Sequence, residues 1–259
     1  MFTSNPFVEL SASISPSVMQ TYIYVMIILV AAGTIYDVLH KKSAKYFMNN
    51  MEKAKKNVTR EVGGGEKVSL AVKTVIVDVA MSGEFCNPKR RIAHLLTMYG
   101  FIAYVVTTVM MIFSYETAAT PAIVAQLWHL GALMVCIGGY WFWFFIRVDV
   151  AAEGNSPFRI MRADLFILML LASATLGLVW SYLQSTGNSW TQAVFGLYVI
   201  ATTVLFGSVP WSKFAHMFFK PAAAFEKRMS AANGSRSNLP APADVPATYG
   251  SAQQQSKHF

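Results

Sequence analysis

Cysteine is almost missing from this sequence. Cys86 and Cys136 are the only two in 259 residues, and they are too far apart to form a CxxC pair. That excludes a disulfide framework, and it leaves the chain unable to hold an iron–sulfur cluster by itself. Charge is scarce as well: Asp, Glu, Lys and Arg make up 13% of the residues. No soluble domain of this size needs so many uninterrupted apolar runs. No internal repeat is visible, so the inverted halves of many secondary transporters are not in evidence. No basic residue precedes the first apolar run, whereas Lys41, Lys42 and Lys45 follow it closely, so the run reads as a retained span and not as a cleavable signal.

Hydrophobic residues, by contrast, make up 54% of the chain. Five stretches approach or exceed the roughly 20 apolar residues that cross a bilayer: Thr21 to Leu39, Ile92 to Ser114, Ala122 to Ile146, Leu165 to Leu183, and Gln192 to about Phe219. Strands would be shorter and would alternate, so the spans are expected to be helical. The loop 41–91 holds twelve Lys or Arg against five acidic residues, which keeps it in the cytoplasm by the positive-inside rule. Tyr115 to Pro121 and Ser185 to Thr191 contain no Lys or Arg and face outward on the same rule. Arg147 to Asp164 and everything from Lys220 onward carry basic residues and face inward. The expected fold is therefore an all-α integral membrane protein, a bundle of five transmembrane helices with N-out and C-in orientation. Residues 1–20 form an external segment, 21–220 the membrane domain with its basic cytoplasmic loop 41–91, and 221–259 a disordered cytoplasmic tail.

The net charge of +8 arises beside the predicted helix ends. There it binds lipid head groups and sets topology, so it does not indicate nucleic acid. Within the loop, residues 46 to 68 are polar and Gly63-Gly64-Gly65 reads as a hinge. Val68 to Val79 interleaves apolar residues with Lys73 and Asp78, which suits a short amphipathic helix on the inner membrane surface, under a partner, or packed within the cytoplasmic part. From Ala231 the chain is rich in Ala, Ser, Pro, Gly and Gln, and His258 in that stretch is given no role.

Ionisable residues in a membrane are costly and become functional candidates, although those at helix ends can reach the head groups. His94 lies three residues inside Arg91, and His216 four residues before Lys220. Each is thus expected within about one helical turn of the inner surface at ~1.5 Å per residue. A bis-histidine haem b needs two neutral imidazoles, an apolar slot and cations for the propionates. His94 and His216 are the candidate axial ligands, Arg90, Arg91 and Lys213 the candidate propionate partners, and Met98, Phe101 and Phe214 the candidate slot lining. Pro210 would bend the fifth helix ahead of His216. The plainer alternative is that both histidines simply mark helix ends.

Two further histidines rank lower as iron ligands. His129 lies 18 residues before Arg147, hence near the outer leaflet, where an outer quinone contact or a polar lining residue is the better reading. His40 ends the first span beside Lys41 and Lys42 and reads as an interface residue. The run Tyr140-Trp141-Phe142-Trp143-Phe144-Phe145 fits an interfacial aromatic belt. A quinone headgroup also needs an aromatic slot with a few polar groups, and Trp211, Lys213, Asp164 and Arg162 are expected near the same surface. Trp211 and Asp164 are thus secondary quinone candidates. Asp37 and Asp164 could relay protons, but their basic neighbours favour ordinary charge pairing.

Arg91-Ile92-Ala93-His94-Leu95-Leu96-Thr97-Met98-Tyr99-Gly100-Phe101 and Pro210-Trp211-Ser212-Lys213-Phe214-Ala215-His216-Met217, set in five predicted spans, carry a family likeness. The chain resembles the membrane cytochrome b subunits related to the gamma subunit of respiratory nitrate reductase and to the membrane subunits of heterodisulfide reductase. Within that set it looks most like the membrane anchor subunits of dissimilatory adenylylsulfate reductase. The likeness covers about residues 20 to 220 and is concentrated in the two histidine motifs. Members with two haems carry two further histidines, and the corresponding depths here hold Tyr104 and Tyr198. The resemblance therefore implies one haem b on the cytoplasmic side.

It also implies a prokaryotic inner-membrane subunit that exchanges electrons between the quinone pool and a soluble cytoplasmic iron–sulfur flavoprotein, adenylylsulfate reductase. The loop 41–91, which includes Cys86, would be the docking surface, and the sulfur chemistry would belong to the partner. The alternative is a haem-free membrane anchor or assembly scaffold of a respiratory complex. A small transporter would need polar or broken helices near the midplane, and little of that kind is visible.

Overall fold

The computed structural model describes residues 2–40, 48–49, 51–52, 55–83, 85, 87–116, 119–211 and 216–235, and among these it is all-helical. The helices are α1 (Pro6–Leu10), α2 (Pro16–His40), α3 (Gly64–Lys73), α4 (Pro88–Phe113), α5 (Ala122–Trp141), α6 (Val148–Ala151), α7 (Leu165–Ser185), α8 (Thr191–Gly207) and α9 (His216–Ala232). Wider π turns extend α3 over Thr74–Ala80 and α5 over Phe142–Ile146. Four spans are long and apolar enough to cross a membrane: Pro16–His40, Pro88–Phe113, Ala122–Ile146 and Arg162–Ser185. They match the first four expected spans. The fifth expectation needs correction, because the last apolar helix stops at Gly207 instead of running to Phe219. A 3-10 turn over Val209–Trp211 follows, with Pro210 inside it, and residues 212–215 lie outside the described set. Proline withholds an N–H and clashes with the preceding turn, so the chain leaves the helix there.

The chain divides into two compact units. The first comprises Met1–Asp37 and Ile92–Ala215. Its helices make contact through small residues. A Cβ on Gly100 of α4 would lie 2.7 Å from the Gly131 carbonyl of α5, and one on Gly131 would lie 2.8 Å from the Gly100 carbonyl. Further along, a Cβ on Gly138 would meet the Ala93 carbonyl at 2.7 Å. The two backbones thus touch along much of their length, which is how helices gain contact in lipid, where apolar surface provides no drive to associate. α7 packs against α5 and α8. α2 makes a narrower contact through Met19, Met26, Gly33 and Asp37, and its other faces leave Ile27, Ile28, Ile35 and Leu39 exposed. Apolar flanks of that extent suit lipid and not water.

A short N-terminal segment, expected only to lie outside the membrane, instead closes one end of this unit. Phe7 is buried against Trp180, with ring centroids 5.2 Å apart, and against Trp128 at 6.1 Å. Asn5 donates from Nδ2 to Thr120 Oγ1 at 3.0 Å, and Gln184 Nε2 donates to the Pro6 carbonyl at 2.6 Å. Asn5 also caps α1 by accepting from Phe7 N–H.

The second unit comprises Val38–Arg91 and His216–Phe259. The expected amphipathic helix over 68–79 is present as α3 and its π extension. Gly64 and Gly65, expected in a hinge, form its first turn. Residues 221–232, expected in the disordered tail, are helical as part of α9. Asp78 holds α9 by accepting from Arg228 Nε at 2.5 Å and Nη2 at 2.8 Å, and this paired bond raises the guanidinium above its already high pKa. Lys220 and Lys227 also lie on α9, and the part of the tail from 236 lies outside the described residues.

Gly100→Ala and Gly131→Ala are each expected to destabilise the bundle by about 1–3 kcal/mol through overpacking against a backbone that cannot yield. Gly196→Ala, where an added Cβ meets nothing within 4 Å, is expected to be neutral or slightly stabilising. Melting temperatures in one detergent check all three.

Candidate functional site

α4 decides where His94 sits. Its residues Ala93, Gly100, Tyr104, Thr107 and Met111 are buried and follow one another at helical spacings along one stripe. That stripe is the α5-facing side, because Ala93 and Gly100 are the residues against which Gly138 and Gly131 abut. His94, Met98 and Phe101 follow one another at helical spacing on the neighbouring stripe. There Phe101 reaches Phe206 of α8, with ring centroids 6.4 Å apart. His94 is half-buried about two turns closer to the start of α4. An imidazole is a side chain of the type that can ligate iron, and Met98 and Phe101 share its stripe of the helix. Arg90 and Arg91 precede His94 in the chain as part of the second unit, where Arg91 Nε donates to the Met81 carbonyl at 2.7 Å.

His216 opens α9 in the second unit, and its side chain lies outside the described residues, as do Lys213, Phe214 and Cys86. Expected at the close of the fifth span, His216 instead starts a separate helix whose composition is more polar. Trp211 is exposed at the end of the 3-10 turn. His40 is exposed as the last residue of α2. Among the described residues no group of three or more His, Cys, Asp or Glu is placed to hold a metal ion.

His129 is fully buried, and both of its ring nitrogens have partners. Nδ1 lies 2.7 Å from the Ala125 carbonyl and Nε2 2.9 Å from Ser181 Oγ. A carbonyl can only accept, so the proton belongs on Nδ1, and Nε2 accepts from the serine hydroxyl. Phe2 and Trp128 pack edge-on against the ring. This is a neutral histidine joining α5 to α7 deep in the bundle. Iron coordination at either nitrogen of His129 would break a buried hydrogen bond.

Asp164 is likewise committed. Its Oδ2 accepts from Arg147 Nη1 at 2.8 Å and from Met161 N–H at 3.0 Å. Arg147 also donates through Nη2 to the Pro157 and Arg159 carbonyls, and its guanidinium lies 3.9 Å from the Trp143 ring centroid. The π turn delivers this arginine: Arg147 N–H bonds back to the Phe142 carbonyl, and the chain then turns extended. Charge pairing, the reading favoured by the basic neighbours of Asp164, is the arrangement found. The clasp between Arg147 and its loop is the element that sequence reasoning missed. The only signal for it was a lone arginine directly after an aromatic run.

Tyr104 and Tyr198 are buried in an aromatic core. Tyr104 packs on Trp128 at 5.1 Å, and Tyr198 stacks on Trp180 at 5.8 Å and 12°. Trp128 and Trp180 are both fully buried. Trp128 Nε1 donates to Thr108 Oγ1 at 2.9 Å, tying α5 to α4.

Arg147→Ala is expected to cost up to about 3–5 kcal/mol, because it leaves a partly buried carboxylate with only its Met161 N–H donor and two carbonyls without theirs. Arg147→Lys is expected to restore only a minor part, since a compact ammonium cannot reproduce the planar fork whose separate nitrogens reach Asp164 and the two carbonyls. Thermal unfolding together with limited proteolysis within 152–160 checks both variants. Comparison of the chain with protein-family models, with curated proteins and with solved structures finds no match, so the functional reading rests on the chain's own residues.

Proposed function

We propose that this chain is a haem b-containing membrane anchor subunit that exchanges electrons between membrane quinone and a soluble cytoplasmic redox enzyme. The observation that carries the reading is the environment of His94: a half-buried imidazole at the start of α4, on a stripe that continues through Met98 and Phe101 to Phe206. His94 and His216 are the axial ligands in this reading. Arg90, Arg91 and Lys213 balance the propionate charges, in keeping with the likeness of the two histidine motifs. The filled aromatic core around Tyr104 and Tyr198 supports one haem near the His94 end and not a second beyond it.

α8, at 17 residues, is about 25 Å long and serves as the fifth span. With the twelve basic residues of loop 41–91, this yields N-out and C-in orientation in a prokaryotic inner membrane. When bound, haem b supplies a one-electron carrier between a two-electron quinone and the partner's cofactors. The chain's own residues position and insulate it. The Gly100–Gly131 contact holds α4 against α5 and so fixes the stripe on which His94 sits, while the apolar wall keeps water from the ring edge. The lysines and arginines of loop 41–91 attract an acidic partner surface. That partner is an iron–sulfur flavoprotein, and adenylylsulfate reductase is the member that the motif likeness favours.

The test is a reduced-minus-oxidised spectrum of the purified protein, with haem quantified per chain, for wild type, His94→Ala and His216→Ala. One b-type haem per wild-type chain, lost in both variants while gel-filtration behaviour is unchanged, is the expected result. A wild-type protein that stays colourless after expression with haem supplied would overturn the reading and leave a haem-free anchor. Haem retained in both variants would overturn the ligand pair.

A further inference from the structure

The loop between α5 and α7 shows apolar side chains while its backbone is held in place. Ser156–Arg159 form a turn, closed by the Arg159 N–H to the Ser156 carbonyl at 3.0 Å, with Pro157 and Phe158 at its tip. Arg147 fixes the loop from inside, through its bonds to the Pro157 and Arg159 carbonyls and to Asp164. Asp164 in turn accepts from Met161 N–H. Holding these residues in one conformation costs backbone entropy, so what they present is set by the fold.

They present Phe158, Ile160 and Met161, which are 77%, 66% and 44% exposed. A single exposed apolar side chain needs no explanation, but three within four residues do. Interleaved with them, Arg159 and Arg162 are exposed, and neither side chain makes a hydrogen bond or ion pair among the described residues. The loop joins two helices long enough to cross a membrane, Ala122–Ile146 and Arg162–Ser185, so it lies at the bilayer surface. Its tip folds back on the first of them. The Phe158 ring meets Phe144 edge-on with centroids 6.3 Å apart, and Phe144 stacks on Tyr140 at 6.2 Å. Tyr140 is exposed and Phe144 half-buried, so this aromatic ladder runs along the outer side of α5.

We propose that this loop is a binding site for an anionic phospholipid. Phe158, Ile160 and Met161 enter the boundary of the acyl chains beside the Phe144–Tyr140 ladder, and the guanidinium groups of Arg159 and Arg162 take the headgroup phosphate. Arginine suits the task, since its planar fork pairs with phosphate oxygens while its stem lies along apolar surface. The occupant is lipid and not a soluble protein, because the apolar patch is continuous with a ladder that descends into the bilayer, where a soluble protein cannot follow. The Arg147 clasp then does more than close the loop: it holds the apolar wedge at the level of the headgroups. The site rests only on the membrane character of the two spans and is independent of haem binding.

The wedge is read by comparing Ile160→Cys with Glu153→Cys, an exposed position of the same loop, each in the full-length protein carrying Cys86→Ser and Cys136→Ser. Both are placed in lipid nanodiscs and treated with a charged, membrane-impermeant maleimide. The thiol at position 160 is expected to react at least about tenfold more slowly than the one at 153, because apolar surroundings disfavour the thiolate. Equal rates would place position 160 in water and overturn the proposal. The headgroup contact is read by melting temperature in micelles containing phosphatidylcholine, with or without phosphatidylglycerol. Phosphatidylglycerol is expected to raise the melting temperature of the wild type. The Arg159→Gln/Arg162→Gln variant is expected to lose most of that rise while matching the wild type in phosphatidylcholine alone, and Lys67→Gln/Lys73→Gln, which removes the same charge from α3, to keep it. No rise in the wild type, an equal rise in the arginine variant, an equal loss in both double variants, or a rise reproduced by inorganic phosphate would each overturn the proposal.

Discussion

The close approach of α4 to α5 is the constraint on which the rest of the first unit depends. In lipid, two apolar helices gain nothing by hiding from solvent, so they must gain by touching closely and by hydrogen bonding. Gly100, Gly131 and Gly138 permit the first, and the Trp128–Thr108 bond provides the second. Once the α5-facing stripe of α4 is defined by Ala93, Gly100 and Tyr104, the neighbouring stripe that carries His94, Met98 and Phe101 is defined too. The orientation of the candidate ligand is thus inherited from a glycine contact two turns away.

The same contact separates the bundle into two chemical halves. Toward the N-terminal segment the interior is crowded with Trp128, Trp180, Tyr104, Tyr198 and Phe7, whose rings interlock between α4, α5, α7 and α8. Polar atoms are present there, but they serve joints such as His129–Ser181 and Ser173–Thr202. Toward the other end the aromatic run of α5 finishes in a π turn, and Arg147 gathers its loop onto Asp164. One end is closed by packing and the other by charge.

Much of this architecture could be read from the sequence, because hydrophobic length is a one-dimensional property. The spans around α2, α4, α5 and α7, and the amphipathic pattern of α3, need only a window of neighbouring residues. What could not be read depends on partners distant in the chain. Asn5 and Phe7 look like an ordinary polar leader, and only their contacts with Thr120, Trp128 and Trp180 make them a plug. The end of α8 was overextended because the apolar composition continues past Pro210, and hydropathy does not register the missing N–H. For His129 the sequence left an outer quinone contact and a polar lining role both open, because its partner, Ser181, lies 52 positions away. The helical start of the tail was hidden by alanines, which suit a helix as well as a low-complexity stretch and are resolved here by the Arg228–Asp78 pair.

The histidines show why residue type alone does not identify a ligand. His129 is the most deeply buried of those described, and an argument from the cost of intramembrane polarity would rank it first. Its burial is fully accounted for by two hydrogen bonds to its own protein, so nothing further is needed to hold it there. His94 is less buried and lies near the start of α4 on the stripe of Met98 and Phe101. Depth in the membrane is therefore a poor guide to a histidine's role, and the hydrogen bonds that a buried imidazole makes within its own protein are a better one.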